Sequence, residues 1–174
     1  DLLHRNESTL RAGRIGSRLV RLLNRHYHRS PDNDRSGSHR NIAYHYDLGN
    51  AFYAAWLDPG MTYSAACFRG NADSLQSAQD AKYRRISELA GLGSGDHVLE
   101  IGCGWGGFME HATRIPGCRV DGITLSREQH AWANRRMQSL GRADRARASI
   151  TDYRDTSGRY DAVVSIEMLE AVGQ

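Results

Sequence analysis

Lysine is nearly absent from this 174-residue sequence, and cysteine is rare. Twenty-two of the 23 basic residues are arginine, with Lys82 the single exception. A preference this one-sided is typical of genome composition, and by itself it predicts no chemistry. The three cysteines, Cys67, Cys103 and Cys118, form neither a CxxC pair nor a Cys/His ligand pattern. Their number and spacing argue against a disulfide scaffold and a metal site, and favour a reducing compartment.

Long hydrophobic runs are also missing. No apolar stretch approaches the roughly 20 residues of a membrane-spanning helix, and no charged-then-apolar signal segment stands at the start. With 40% hydrophobic and 25% charged residues, the composition is that of an ordinary globular domain. These features predict a cytoplasmic protein. Because the chain begins at Asp1 and stops at Gln174, just after an apolar strand-like run, we expect a piece of something longer.

Positive charge is concentrated at the start of the chain. Residues 1–40 contain nine arginines and four acids, whereas residues 41–174 contain fourteen basic and sixteen acidic groups. Between Leu10 and Tyr27 the arginines recur at helical spacing opposite an apolar face. Such a helix either lies on an anionic membrane surface or packs on the protein with its arginines solvated. Nucleic acid is disfavoured, because aromatic residues are not interleaved with the arginines.

The hydrophobic period changes from helical to strand-like after residue 91. Helical patterns cover 41–56 and a segment from Ser74 or Ser77 to Ala90; later ones cover 108–114 and 126–140. Short strands are predicted at 97–101, 118–123, 148–150 and 160–166. Strands that alternate with helices predict a parallel sheet covered on both faces.

A glycine-rich loop separates the first predicted strand from the next helix. Gly102, Gly104 and Gly107 fit the GxGxxG pattern, which lets a ligand approach the backbone closely. Asp121 is near the distance expected of a ribose-binding acid in a dinucleotide site, but it lies inside a strand. Glu100, two residues before the first glycine, is instead typical of enzymes that use S-adenosylmethionine (SAM). The loop alone favours SAM over NAD and leaves both open.

Six motifs stand in order along the chain: HYDLGN at 45–50, LDPGMTYS at 57–64, LEIGCGWGG at 99–107, GITLSREQ at 122–129, DYRD at 152–155 and SIEMLEAVG at 165–173. Over about residues 40–174 the sequence resembles the cyclopropane-fatty-acyl-phospholipid synthase family, which includes the mycolic acid cyclopropane synthases. Members of that family transfer the methyl group of SAM to the cis double bond of an acyl chain, and usually then close a ring.

The resemblance implies a fold and a domain plan. The fold is α/β, a class I SAM-methyltransferase (Rossmann-like) parallel sheet with an N-terminal helical cap, here stopping after about the fourth strand. Residues 1–40 would form the basic segment and linker, 41–91 the cap, and 92–174 the first half of the SAM-binding domain. With strands missing, we expect residues 1–174 alone to be poorly soluble and inactive.

The resemblance also assigns the site. It places two residues at the methionine end of SAM, two glycines beneath the cofactor, three residues at the ribose and two at the adenine: Tyr63 and Ser64; Gly102 and Gly104; Thr124, Leu125 and Gln129; Thr151 and Asp152. Glu170 would orient a bound bicarbonate ion, the general base of the family. No metal is implied. For Gln129 a second interpretation stays open, since Ser126 and Gln129 also read as a helix capping box.

One position departs from the family pattern. The residue after Tyr-Ser is usually a cysteine that helps to hold bicarbonate, and here it is Ala65. Cys67, two residues on, is expected to be a small buried hydrophobe. The aromatic residues Tyr46, Phe52, Tyr53 and Trp56 would either stabilise a cationic intermediate or pack the cap.

The expected activity is thus cyclopropane formation on unsaturated phospholipid acyl chains by an enzyme peripherally bound to an anionic membrane, with a homodimer left open. Two alternatives remain. One is methylation of the alkene without ring closure, and the other is an inactive module that binds SAM or lipid.

Overall fold

The computed structural model describes residues 49–70 and 74–168. Within them the helices are α1 (Gly49–Ala54), α2 (Leu75–Leu89), α3 (Gly107–Ala112) and α4 (Arg127–Ser139), and the strands are β1 (His97–Ile101), β2 (Arg119–Thr124), β3 (Ala146–Ile150) and β4 (Ala162–Ser165), with a 3-10 turn at Tyr153–Asp155. The predicted basic helix, Tyr46 and Glu170 lie outside the described residues. Among the helices described, none is long and apolar enough to cross a bilayer.

The four strands form one parallel sheet in the order β3-β2-β1-β4. Glu100 of β1 is in register with Gly122 of β2 and with Val164 of β4. All four strands run the same way, so their carboxyl ends meet at one edge of the sheet. In parallel α/β sheets ligands bind at this edge.

The core lies between the sheet and helices α2, α3 and α4. Val98, Val120 and Ala148 point from three strands into a cluster that includes Phe108 and Met137, all almost fully buried. Gly122 contributes by lacking a side chain, because a Cβ there would lie 2.8 Å from Cys103 Cβ and from Met109 Sδ. The sheet and the loop after β1 are therefore in direct contact.

Helix α4 begins with a capping serine. Ser126 has extended backbone angles, and its Oγ accepts a hydrogen bond from the Gln129 backbone N–H at 3.2 Å. We expect Ser126→Ala to lower the free energy of unfolding by about 1 kcal/mol, because one donor of the first turn loses its partner. Chemical denaturation measures this. Ser139→Ala, at the exposed other end of the same helix, is the matched control and should change stability far less.

One prediction about packing is wrong. Cys67 is exposed, whereas Cys103 and Cys118 are buried. The segment around Cys67 lies on the surface of α2, and its backbone N–H donates to the Ala78 carbonyl oxygen at 3.1 Å. That contact fixes the backbone and leaves the thiol outside the core.

Candidate functional site

The loop after β1 is held open at the ligand-binding edge of the sheet. The backbone N–H groups of Gly102 and Cys103 both donate to the Ile123 carbonyl oxygen, at 2.9 and 3.0 Å. Gly102 and Gly104 have φ of +78° and +53°, a region that favours glycine. A Cβ on Gly104 would meet no atom within 4 Å. At Gly104 the loop thus presents bare backbone to open space, as the sequence pattern predicts, whereas a Cβ on Gly102 would lie 2.5 Å from Met168 Cγ.

Glu100 lies two residues before Gly102 and is 3% exposed. Its Oε2 has no hydrogen-bond partner among the described residues. Burial raises the pKa of this carboxyl well above its usual value, an effect that the nearby Lys82 ammonium partly offsets. A buried polar atom without a partner costs free energy, and a ligand that supplies one would recover it.

Two buried polar residues, Thr124 and Gln129, are hydrogen-bonded to each other at the end of β2. Thr124 Oγ1 donates to Gln129 Oε1 at 2.8 Å and accepts from the Ser126 backbone N–H at 3.1 Å. The predicted capping box is therefore only half formed, because Thr124 rather than Gln129 satisfies the Ser126 N–H. With its oxygen occupied, Gln129 keeps its amide NH2 donors for other partners. Leu125 is half-buried in the bend between them.

The end of β3 lies beside the end of β2. The Thr151 backbone N–H donates to the Thr124 carbonyl oxygen at 3.2 Å. Asp152 follows and is 7% exposed. Its Oδ1 accepts from the backbone N–H of Arg154 at 2.9 Å, and from Nε of the same residue at 2.8 Å. These bonds fix the carboxylate at the sheet edge.

The segment 57–65 is folded by Asp58, a buried residue. The two Asp58 oxygens accept from the backbone N–H groups of Gly60 and Thr62, each at 2.8 Å. This turn presents Tyr63 and Ser64 in succession. The Tyr63 ring packs on Tyr53 and Trp56, with centroids 5.6 and 5.8 Å away.

The aromatic residues of α1 divide between core and surface. Tyr53 is buried with Met61 and Trp105, while Phe52 and Trp56 are about half exposed. Packing therefore accounts for Tyr53, and a role for the other two in stabilising a cation stays a prediction.

Position 65 is occupied by a backbone contact. The Ala65 backbone N–H donates to Glu167 Oε1 at 2.9 Å. Glu167 follows β4 and has φ of +52°, unusual for a residue other than glycine. Ala65 offers no side-chain donor, and its N–H already faces a carboxylate. Position 65 therefore supplies no side-chain donor for bicarbonate, and the role of Glu170 stays a prediction.

Asp121 lies on the face of the sheet that is turned away from the glycine loop. It sits inside β2, and its Oδ2 is 2.8 Å from His97 Nε2. It lines a cavity of about 330 Å³ together with Arg147, Tyr160 and Thr151, the last of which also stands at the end of β3. Asp121 is thus engaged away from the loop that carries Gly104, which removes the ribose-binding acid that an NAD site needs.

Arg136 of α4 connects the parts of the site. Its Nε and Nη2 lie 2.8 and 2.7 Å from Glu110 Oε2. Its Nη1 donates to the Gly60 carbonyl oxygen at 2.6 Å and reaches the Trp105 carbonyl oxygen at 3.5 Å. One side chain therefore joins the 57–65 segment, the glycine loop and α3.

Comparison with known proteins decides the family. The family model described as mycolic acid cyclopropane synthetase matches residues 33–174. The chain belongs to this family. It is 44% identical over 150 residues to the tuberculostearic acid methyltransferase of Mycobacterium tuberculosis, covering 82% of this chain and 35% of that protein. It is 42% identical over 129 residues to the cyclopropane-fatty-acyl-phospholipid synthase of Escherichia coli K12, covering 74% and 32%. The chain thus spans about a third of the length of these relatives.

Solved structures agree. The mycolic acid cyclopropane synthase CmaA1, complexed with SAH and CTAB, matches with a TM-score of 0.72 and 32% identity, covering 76% of this chain and 46% of that one. The predicted fold class, a class I SAM-methyltransferase sheet, is confirmed.

The structure brings most of the predicted residues to one sheet edge and adds others that sequence analysis missed. Thr124, Thr151 and Asp152 stand at neighbouring strand ends, next to the glycine loop, and Gln129 in the first turn of α4 is hydrogen-bonded to Thr124. Lys82, Glu167 and Arg136 were not predicted. For Lys82 a signal existed, because it is the single lysine of an arginine-rich chain.

Proposed function

We propose that this protein binds SAM at the carboxyl edge of the sheet and takes part in methylating the cis double bond of unsaturated phospholipid acyl chains. The observation that carries the proposal is the glycine loop, open to space at Gly104 and flanked by the buried residues Thr124 and Asp152 at the ends of β2 and β3. Family membership supports it, since the matched CmaA1 structure holds SAH. SAM would supply an electrophilic methyl group.

Two features of the site fit that cofactor. The space over Gly104 accommodates a ligand against bare backbone. The unpartnered Glu100 oxygen offers an acceptor for a donor group. We propose that the glycines lie beneath the cofactor, that Thr124, Leu125 and Gln129 hold its ribose, and that Thr151 and Asp152 flank its adenine. Tyr63 and Ser64 would contact its methionine end.

An alkene is a weak nucleophile, so the protein must align it and exclude water. Residues 57–65 suit this task, because Asp58 and Arg136 fix the segment against the glycine loop. Half-exposed Phe52 and Trp56 offer aromatic faces to an apolar chain, or to a cation formed from it.

We propose cyclopropane formation as the outcome. A second candidate is methylation without ring closure, which Ala65 favours because it cannot supply the usual cysteine contact. The remaining parts of the proposal are a cap at 41–91, a SAM-binding unit at 92–174 and a basic segment at 1–40 directed to an anionic membrane. We also propose that Glu170 holds the base. The enzyme would be cytoplasmic and peripherally bound to the membrane, and whether it forms a homodimer is left open.

Calorimetry with SAH and with NAD tests the cofactor. We expect SAH to bind and NAD to give no heat, because Asp121 is turned away from the loop. Incubation with methyl-labelled SAM and unsaturated phospholipid then tests the reaction, and ozonolysis with mass spectrometry separates a ring, which survives, from an alkene, which is cleaved. NAD binding without SAH binding would overturn the proposal. SAH binding without lipid labelling would support the cofactor site and would agree with the expectation that residues 1–174 alone are inactive.

A further inference from the structure

Helix α2 holds Ser64 with two side chains one turn apart. Lys82 Nζ lies 2.5 Å from Ser64 Oγ, and Gln79 Nε2 donates to the Ser64 carbonyl oxygen at 2.8 Å. Just N-terminal to Ser64 along the segment, Tyr83 Oη donates to Thr62 Oγ1 at 3.1 Å. The Lys82 ammonium group therefore fixes the position of the Ser64 hydroxyl.

The chemistry of this contact decides what Ser64 can bind. An ammonium group has donors and no acceptor, so Ser64 Oγ must accept from Lys82. The hydroxyl hydrogen then points to a different acceptor. A serine hydroxyl that accepts from a cation and donates its own hydrogen favours an anionic acceptor, because charge-assisted hydrogen bonds are the stronger ones. The arrangement suits a carboxylate.

The environment of Lys82 keeps its ammonium close to the site. The side chain is partly buried, and its Nζ lies 4.9 Å from the centre of the Tyr83 ring. The carboxyl groups of Glu167, Asp58 and Glu100 each raise the pKa of Lys82 and so favour its charged form. A compact ammonium makes a point contact that a planar guanidinium does not reproduce. This explains a lysine in a chain that otherwise uses arginine.

We propose that Lys82 is a positioning residue that orients the Ser64 hydroxyl toward the carboxylate of the cofactor's amino-acid end. The proposal rests on the proposed function and deepens it. It implies that the protein distinguishes SAM and SAH from an adenosine thioether that has no carboxylate. Lys82 acts through Ser64 and the carboxylate, and has no part in the adenosine contacts.

The test compares two ligands on the purified protein. SAH carries the carboxylate, and 5′-methylthioadenosine keeps the adenosine and the sulfur without it. We expect Lys82→Met to raise the Kd of SAH about tenfold or more, since a charge-assisted bond is lost, and to change that of methylthioadenosine less than about twofold. Ser64→Ala should have a similar selective effect, and the double variant should be no worse than the more affected single variant.

A pH series separates charge from packing. Burial lowers the pKa of Lys82 to about 8, although Asp58, Glu100 and Glu167 raise it in part. The affinity for SAH should therefore fall as pH rises through about 8. Gln79→Leu removes a hydrogen bond to the Ser64 carbonyl oxygen but keeps the Lys82 charge, so SAH binding by this variant should still depend on pH. In Lys82→Met the pH dependence should be lost. Equal weakening of both ligands, or an unchanged pH profile in Lys82→Met, overturns the proposal. If neither ligand binds the unmodified protein, the proposed function itself fails.

Discussion

Gly104→Val is expected to raise the Kd of SAH at least about 100-fold. At φ of +53° a branched side chain is strained, and it would fill the space over the loop where the cofactor must approach the backbone. Both the strain and the lost contact act on binding, since the loop would shift away from its present path. Isothermal titration calorimetry measures the change.

Gly141→Val is the matched control. Gly141 also has a positive φ, +64°, and a Cβ there would likewise meet nothing within 4 Å. It follows α4, in an exposed turn away from the loop. Both variants should lose a similar amount of stability, about 1–2 kcal/mol from the left-handed backbone. Only Gly104→Val should lose the ability to bind SAH. Equal binding by the two variants would place the cofactor elsewhere.

Arg136→Met is expected to lower the free energy of unfolding by about 2–4 kcal/mol. The methionine keeps the aliphatic stem, but Glu110 loses a charged partner, and the Gly60 carbonyl oxygen loses its donor. Removing one member of a largely buried ion pair is costly because the other charge stays behind. Chemical denaturation gives the change, and Arg135→Met, at the exposed neighbouring position, should stay within about 0.5 kcal/mol.

The loss from Arg136→Met should depend on pH. Burial raises the pKa of Glu110, but hydrogen bonds and charge from Arg114 and Arg136 outweigh it, and the pKa lies below its usual value of 4.5. A lowered carboxyl pKa stabilises the fold above the unfolded-state pKa, and this contribution is lost as pH falls through the folded-state pKa. The difference between the protein and Arg136→Met should therefore be largest at neutral pH and shrink as the pH falls below the usual carboxyl value of 4.5. A pH-independent difference would assign the effect to packing.

Local sequence signals predicted the sheet and its helices well. All four strands and the helices α2, α3 and α4 begin and end within two residues of the predicted bounds. The reason is physical, because each element has a clear period and ends at glycines or at a capping residue such as Ser126. The glycine loop was predicted for the same reason, since its pattern is continuous in sequence.

Contacts between distant residues could not be predicted in this way. Ala65 and Glu167 are 102 positions apart, and Arg136 reaches back 76 positions to Gly60. Neither pairing leaves a periodic trace in the sequence. Composition alone accounts for the scarcity of lysine, so the sequence by itself assigns no role to Lys82. The contact between Lys82 and Ser64 is seen only in the folded structure, where α2 lies against Ser64.

The exposed thiol of Cys67 provides a natural attachment point for a reporter. Cys103 and Cys118 are buried, and burial raises the pKa of both thiols, so a maleimide dye at neutral pH should react at one position without prior removal of the others. That position is three residues from Ser64 and is tied to α2 through its backbone. Fluorescence from a single label could therefore follow ligand arrival at the methionine end in real time.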